Sequence, residues 1–222
     1  MLPRNYAVLV VGDPRTGMFE FCCYLASRCL AAGERVVFVE TNTDADHVRR
    51  QFRLFGADPV EYETLGRLSV TDFSSSGEGD VSDATSGEFS DLGNLEEVLE
   101  RTEEGIVAVG GQPVKVIFDS LTPLYLRHDS SVVGTFFDAL VSMAKMSGKL
   151  TATVHRDIVP EDQISMLSTV VDGVLEMRMD ESFHRHVRIR HFRGLDVKPR
   201  WVRFDFEREE DSDATLLGWP RE

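Results

Sequence analysis

Residues 6–33 read YAVLVVGDPRTGMFEFCCYLASRCLAAG, and this stretch decides the fold. The run 6–11 is continuously apolar and rich in β-branched residues, which is typical of a strand buried on both faces. Gly12 and Pro14 then mark a turn, and apolar residues recur at helical spacing over 18–32. Gly33 supplies a helix stop. The stretch therefore predicts a buried strand, a glycine-bearing turn and a helix.

The same alternation of strands and helices continues along the chain. Residues 35–40 (RVVFVE) predict a second buried strand, and 44–55 with Gly56 predict a second helix. Further strands are predicted at 68–73, 114–118 and 150–154, and further helices at 95–101, 132–147 and 161–170. Three alternating segments, 173–179, 186–192 and 201–206, predict antiparallel strands at one edge. The expected fold class is α/β, with a mostly parallel central sheet flanked by helices.

Length and composition predict one domain over residues 1–222. A chain of 222 residues with 42% apolar content can bury one substantial core. Residues 74–94 are dominated by Ser, Gly, Asp and Glu without apolar periodicity, which predicts a flexible acidic loop. We find neither an apolar run of about 18 residues nor a signal-peptide pattern, so we expect a cytoplasmic protein without membrane insertion.

Charge and cysteine usage narrow the functional classes. Thirty-eight acidic against 24 basic residues give a net charge of −14, which repels a phosphate backbone and makes nucleic acid an unexpected partner. Only four of the 24 bases are lysines, a bias that resembles halophilic proteomes. Cys22, Cys23 and Cys29 lie in an apolar helical pattern without metal-ligand spacing, so we expect buried thiols and no metal site.

Residues 12–19 (GDPRTGMF) have the spacing and the flanking elements of the phosphate-binding loop GxxxxGK[ST]. In a working loop the lysine pairs with the outer phosphate oxygens and the hydroxyl holds Mg²⁺. Met18 and Phe19 occupy those two positions. Methionine has no charge to stabilise a transferring phosphoryl group, and phenylalanine cannot ligate a cation that requires oxygen. Ordinary phosphoryl transfer is therefore expected to be lost or severely weakened.

Two acidic residues follow other predicted strands. Asp119 and Ser120 close the strand 114–118, the pattern of a Walker B strand, and Glu40 ends the second strand. An acidic residue at the carboxyl edge of the sheet could orient an attacking water. Two plainer interpretations stay open: a glycine-rich turn is common in doubly wound folds, and an aspartate after a strand often caps a loop.

Together these features resemble the KaiC-related branch of the RecA superfamily over residues 6–206. Three further segments carry the resemblance: Gly56-Ala57-Asp58, VDGVLE at 171–176 and RIRHFRG at 188–194. The resemblance implies a RecA-like P-loop fold, with Glu40 as the candidate catalytic glutamate and Arg193 as a candidate trans-acting arginine, because a hairpin lysine and arginine reach the neighbour's nucleotide in hexameric relatives. His191 stands where that lysine is expected.

Loss of the lysine and hydroxyl with retention of the glycines indicates a degenerate Walker A loop and a pseudo-ATPase. The leading hypothesis is a non-catalytic or weakly nucleotide-responsive regulatory protein that acts through contacts with itself or a KaiC/RecA-like relative. One alternative is an unconventional ATPase that uses Arg15, and the other is a recombinase paralogue that assists a DNA-binding relative. ATP without firm Mg²⁺ ligation is the one cofactor left open. The candidate nucleotide-binding residues are Gly12, Asp13, Pro14, Arg15, Thr16, Gly17, Met18, Phe19, Asp119 and Ser120.

Overall fold

A single eight-stranded sheet organises the computed structural model, which describes residues 5–73 and 92–206. Its strands are β1 (Tyr6–Gly12), β2 (Arg35–Glu40), β3 (Leu68–Asp72), β4 (Val114–Asp119), β5 (Gly148–His155), β6 (Gly173–Met179), β7 (Arg185–Phe192) and β8 (Val202–Phe204). The helices are α1 (Met18–Ala31), α2 (Ala45–Leu54), α3 (Pro59–Thr64), α4 (Leu95–Val109), α5 (Thr122–Tyr125), α6 (Ser130–Ser147) and α7 (Glu161–Val170). None of the helices within these ranges is long and apolar enough to span a bilayer.

The order of the strands across the sheet is β3-β2-β4-β5-β1-β6-β7-β8. The first six run parallel, and β7 and β8 are added antiparallel. The carboxyl ends of the six parallel strands therefore meet at one edge, which we call the carboxyl edge. Ligands of open α/β sheets bind at this edge. The predicted fold class, with antiparallel strands at the C-terminal end of the sheet, is confirmed.

Helices cover both faces of the sheet because the parallel strands are apolar on both sides. On one face, Phe118 of β4 packs against Phe136 of α6, with the ring centroids 5.6 Å apart. On the other, Phe38 of β2 packs against Phe52 of α2 at 5.8 Å. Burying each aromatic side chain contributes roughly 1.5–3 kcal/mol, so these contacts fix the helices on the sheet. Cys22 and Cys23 are buried as predicted, and Cys29 is half-buried.

Helix α4 is longer than predicted, because it continues past residue 101 to Val109. Gly105 does not stop it. An added Cβ there would lie 3.0 Å from Val37 Cγ1, so the glycine allows the helix to approach the sheet closely. The short helices α3 and α5 were not predicted either. Helix α3 begins at a local signal, since the Asp58 carboxylate accepts a hydrogen bond from the Val60 N–H at 3.0 Å.

The predicted acidic loop at 74–94 needs a correction at its end. Residues 74–91 lie outside the described residues, whereas 92–94 belong to the folded part of the chain. Leu92 is buried in the core, and its carbonyl lies 2.6 Å from Nε2 of His128. Asn94 caps α4, because its side chain accepts hydrogen bonds from the first N–H groups of that helix. The polar composition of residues 74–94 gave no indication that Leu92 is buried or that Asn94 caps α4.

Candidate functional site

The turn between β1 and α1 has the form of a phosphate-binding loop. Thr16 lies buried inside it, where its hydroxyl donates to the Asp13 carbonyl at 2.8 Å. Arg15 and Gly17 adopt positive φ angles of 73° and 84°, which turn the backbone sharply before α1 begins. The amino terminus of α1 faces the cleft at the carboxyl edge, as it does where such loops hold phosphate.

Met18 and Phe19 occupy the lysine and hydroxyl positions of this loop, and both pack as apolar side chains. Met18 is 4% exposed and belongs to an apolar cluster that includes Val10 and Met177. The Phe19 ring lies against the His47 ring at 5.1 Å between centroids. Neither side chain offers nitrogen or oxygen to a phosphate or a cation. The described residues also contain no group of three or more His, Cys, Asp or Glu side chains that could hold a metal. Met18 and Phe19 therefore supply neither the cation nor the oxygen ligand that the P-loop pattern places at these two positions.

Two carboxyl groups lie side by side beneath the loop. Glu40 and Asp119 end the neighbouring strands β2 and β4 and are partners in their register. Oε1 of Glu40 accepts hydrogen bonds from the N–H groups of Thr41, Asn42 and Thr43 at 3.0, 2.7 and 3.2 Å. Its Oε2 is buried and has no hydrogen-bond partner among the described residues. The structure therefore leaves one carboxylate oxygen of Glu40 unsatisfied.

Burial governs the protonation of this carboxyl pair. It raises the pKa of Asp119 to about 6, although the Thr153 hydroxyl donates a short hydrogen bond to Asp119 Oδ1 that favours the charged form. Burial also raises the pKa of Glu40 well above its usual range, and the nearby charge of Asp119 raises it further. Like charges this close disfavour double ionisation, so the pair holds a proton more readily than two exposed carboxyl groups.

Ser120 belongs to the structural support of the cleft. Its N–H donates to the Thr41 hydroxyl at 2.8 Å, and that hydroxyl donates to the Ser120 carbonyl at 2.8 Å. The amide of Asn42 lies 3.3 Å from Ser120 Oγ. This pattern ties the end of β4 to the turn after β2. Sequence reasoning did not single out Thr41 or Asn42, because their contacts depend on the pairing of β2 with β4.

His155, at the end of β5, was also not predicted. Its Nδ1 lies 3.0 Å from the Thr122 hydroxyl, and burial lowers the pKa of the imidazole. A lowered pKa favours the neutral ring at pH 7. His155 directly follows a predicted buried strand, and this position alone could have suggested a site residue. No neighbouring residue in the sequence distinguishes it from the other histidines, so it was not predicted.

Arg185 approaches the loop from an unexpected direction. It is the first residue of β7, which starts beside the carboxyl edge because it runs antiparallel to β6. Its Nε lies 2.9 Å from the position that a Cβ would take on Gly17, and it is buried without a hydrogen-bond partner among the described residues. The guanidinium also lies 5.3 Å from the Phe206 ring. This arginine lies on the loop, and no sequence motif identified it.

Arg193 follows the opposite end of β7, at the amino edge of the parallel strands. Its backbone N–H donates to the Asp172 carbonyl at 2.6 Å, and its side chain lies 3.5 Å from Asp172 Oδ1. The structure therefore separates Arg193 from the phosphate loop of its own chain. The remaining candidates lie together: a cavity of about 320 Å³ is lined by Asp13, Arg15, Thr16, Gly17, Met18, Phe19, Glu40 and Asp119, with Gly12, Pro14 and Ser120 adjacent in the chain.

Comparison with known proteins agrees with this geometry. A family described as "ATPase: KaiC" matches residues 1–210, which is nearly the whole chain. The chain belongs to this KaiC family. The β1–α1 turn and the end of β4 stay the predicted phosphate-loop and Walker B positions of this chain. Membership does not restore the missing lysine and hydroxyl, so this KaiC-family chain departs from the pattern at Met18 and Phe19.

Relatives of this KaiC-family chain are found among archaeal proteins. A UPF0273 protein of Pyrobaculum aerophilum is 26% identical over 216 residues, which cover 93% of this chain and 73% of the relative. A UPF0273 protein of Methanopyrus kandleri is 28% identical over 182 residues, covering 81% and 71%. The solved structure of a KaiC-like protein from Pyrococcus horikoshii superposes with a TM-score of 0.71 at 20% identity, over 92% of this chain and 87% of that one. This likeness shows the fold.

Proposed function

We propose that this chain is a non-hydrolysing member of the KaiC family that acts through protein contacts in a regulatory or signalling assembly. The observation that carries the proposal is the packing of Met18 and Phe19. Both side chains contribute apolar contacts at positions where catalysis needs a cation and an oxygen ligand. The framework of the loop, with Gly12 and Gly17, is kept. A protein that acts through contacts needs the folded loop but does not need its catalytic side chains.

The chemistry of phosphoryl transfer explains why these two changes weigh heavily. The transition state spreads negative charge over the transferred group, and catalysis depends on cations placed against it. Met18 supplies no charge, and Phe19 supplies no Mg²⁺ ligand. Glu40 and Asp119 remain beneath the loop, but carboxylates near a phosphate without an intervening cation repel it. Without the lysine and the Mg²⁺ ion, the retained carboxyl groups therefore oppose hydrolysis.

ATP turnover tests this function. Wild-type protein in high salt with Mg-ATP should show no turnover above the protein-free background. The double variant Met18→Lys with Phe19→Thr restores both functional groups and serves as the comparison. Turnover by the wild type at an ordinary rate, roughly one per second or more, would refute the proposal.

Nucleotide binding without Mg²⁺ is a second candidate function, and two arginines favour it. Arg15 lines the cavity, and Arg185 lies on Gly17 with an unpartnered Nε. A guanidinium pairs well with phosphate oxygens. The unconventional ATPase that uses Arg15 is the catalytic version of this candidate. Calorimetry with ATP, with and without Mg²⁺, should then give similar affinities, and Arg185→Ala should weaken both. A strong gain in affinity from Mg²⁺ would contradict this version.

Two surface features at different ends of the sheet support the protein-contact part of the proposal. At the β8 end, the guanidinium groups of Arg178 and Arg188 lie 4.2 and 4.5 Å from the centroid of the Trp201 ring. At the β3 end, α4 exposes a row of acidic side chains: Glu96, Glu100, Glu103 and Glu104. An arginine pair at one end and an acidic helix face at the other favour head-to-tail contacts, either with a second copy or with a KaiC/RecA-like relative.

Light scattering in molar salt, with and without ATP, tests this assembly. We expect a mass above that of the monomer, because buried and partly buried ion pairs are less screened than exposed ones. Arg193→Ala should lower the mass if that arginine reaches a neighbouring chain. If the protein is a monomer with and without ATP, and Arg193→Ala changes nothing, self-assembly is excluded. The proposed contacts would then be with a different protein.

A further inference from the structure

The cavity at the phosphate loop is acidic. Its lining includes four acidic side chains, and Arg15 is the one permanently charged cation among the described residues that line it. Two histidines, His47 and His155, complete its polar wall. The four acidic side chains are Asp13, Glu20, Glu40 and Asp119. A cavity with this charge attracts a cation more strongly than an anionic nucleotide.

Glu40 provides a second and independent sign of a ligand. The residue is 0% exposed, and its Oε1 is saturated by backbone N–H groups of the following turn. Its Oε2 has no partner in the described part of the chain. A buried carboxylate oxygen without a hydrogen bond is energetically unfavourable, so it is expected to have a donor in the functional state. Glu40 lines the cavity, so a donor can come from a ligand there.

Part of the cavity lining is aromatic. Phe19 replaces the hydroxyl residue of the loop, lines the cavity and lies against His47, so an aromatic side chain is present where a working loop has a metal ligand. Carboxylates on one side and an aromatic ring on another suit a flat organic cation. Carboxylate oxygens also ligate hard cations, but neither Met18 nor Phe19 supplies the oxygen ligand that a working loop gives to Mg²⁺.

We propose that this cavity binds a guanidinium group, whose N–H groups donate to the carboxyl pair of Glu40 and Asp119. The guanidinium belongs either to an arginine side chain of a protein partner or to a small molecule such as agmatine. Its planar array of donors matches carboxylate oxygens, and its face can lie on Phe19. The inference rests on the proposed function, because Mg-ATP bound in the same cleft would exclude it.

Calorimetry, at the lowest ionic strength at which circular dichroism shows the protein folded, tests the ligand class. The probes are agmatine, an acetylated Gly-Gly-Arg-Gly-Gly amide, the same peptide with lysine, and urea as a neutral isostere. We expect agmatine or the arginine peptide to bind with a Kd below about 1 mM, and urea to show no binding. Stronger binding of the peptide assigns the group to a protein partner, whereas stronger binding of agmatine assigns it to a metabolite. Equal binding of the lysine peptide would overturn the specificity for guanidinium.

Two variants locate the binding site. Glu40→Gln keeps the shape of the side chain, replaces one acceptor oxygen by an NH₂ donor and removes the carboxylate that a bound cation would favour, and should weaken binding about tenfold or more. Phe19→Leu keeps the apolar packing and removes the π face, and should weaken binding about threefold. Glu104→Gln, on the exposed side of α4, is the matched control and should leave binding unchanged. Circular dichroism checks that each variant is folded.

Failure of this inference can be told apart from failure of the proposed function. If no guanidinium compound binds at about 10 mM while ATP turnover stays at background, the inference is wrong and the proposed function stands. Guanidinium binding that is the same in Glu40→Gln and in the wild type also overturns the inference. If Mg-ATP binds and is hydrolysed, the proposed function is wrong, and the inference falls with it.

Discussion

Replacing Lys115 with methionine should stabilise the protein at neutral pH. Lys115 lies on β4 and is 2% exposed. Its Nζ donates to the Thr151 hydroxyl at 2.6 Å and lies 5.4 Å from the centroid of the Tyr6 ring. Its hydrogen-bond partner among the described residues is thus a neutral hydroxyl and not a carboxylate. Burial lowers the pKa of this ammonium group to about 8, from an ordinary value of 10.5.

The magnitude follows from that difference in pKa. The fall in pKa from 10.5 to about 8 corresponds to roughly 3 kcal/mol between the charged and the neutral forms of the side chain. The unfolded chain binds more protons than the folded chain between about pH 8 and 10.5, so the stability of the wild type rises with pH across that window. Below pH 8 the folded state bears the full free-energy cost of holding a charged, buried ammonium group. Methionine removes it at similar shape and loses about 1 kcal/mol from the hydrogen bond to Thr151. A net gain of about 2 kcal/mol is expected at pH 7.

Urea denaturation at pH 7 and at pH 10, followed by circular dichroism, measures this effect. The advantage of Lys115→Met should shrink strongly at the higher pH, while titrations common to both proteins cancel. Lys149→Met is the matched control. Lys149 pairs with Glu34 at 2.8 Å, so its replacement should destabilise the protein. A Lys115→Met variant that is less stable than the wild type by the same amount at both pH values would refute the reasoning.

Three further substitutions test the packing. Asp172→Asn should destabilise by about 1–3 kcal/mol at pH 7, because its carboxylate accepts from Lys145 Nζ at 2.7 Å and from the Ala7 N–H at 2.9 Å. These hydrogen bonds lower the pKa of Asp172 despite burial, so the gap in urea midpoints should close as the pH falls below about 4. Gly148→Ala should prevent accumulation of folded protein, since its Cβ would lie 2.2 Å from the Val114 carbonyl oxygen. Gly134→Ala, with open space around the added methyl in α6, should raise the free energy of unfolding by about 0.5–1 kcal/mol.

Much of the fold could be predicted because its signals are local. The strands 6–11, 35–40 and 114–118 are continuous apolar runs, and each was found with its position right to within one residue. Helix α4 was cut short at 101, because the residues after it include Gly105, whose role is a close approach to Val37. Such a contact between helix and sheet has no signature along the chain. Short helices such as α5, of four residues, leave too little pattern to detect.

The site residues that are close together in the sequence could be predicted. Those brought together by the pairing of distant strands could not. The loop at 12–19 is contiguous, so its residues were identified together. Asp119 and Glu40 were found because each ends a buried strand, but the unsatisfied oxygen of Glu40 required the geometry of the turn after β2. Arg185 was missed because its contact with Gly17 arises from the antiparallel return of β7.

Single-turnover hydrolysis is the measurement that tests the loss of catalysis most directly. The protein is held in excess over labelled ATP with Mg²⁺ in high salt, so that even one event per site is detected. Asp119→Asn, prepared in the same way, reports any contaminating activity. We predict conversion no faster than the protein-free background for both proteins, because Met18 and Phe19 offer nothing to the phosphates. Conversion at roughly one per second or more by the wild type, abolished in Asp119→Asn, would contradict the claim that this loop no longer supports phosphoryl transfer.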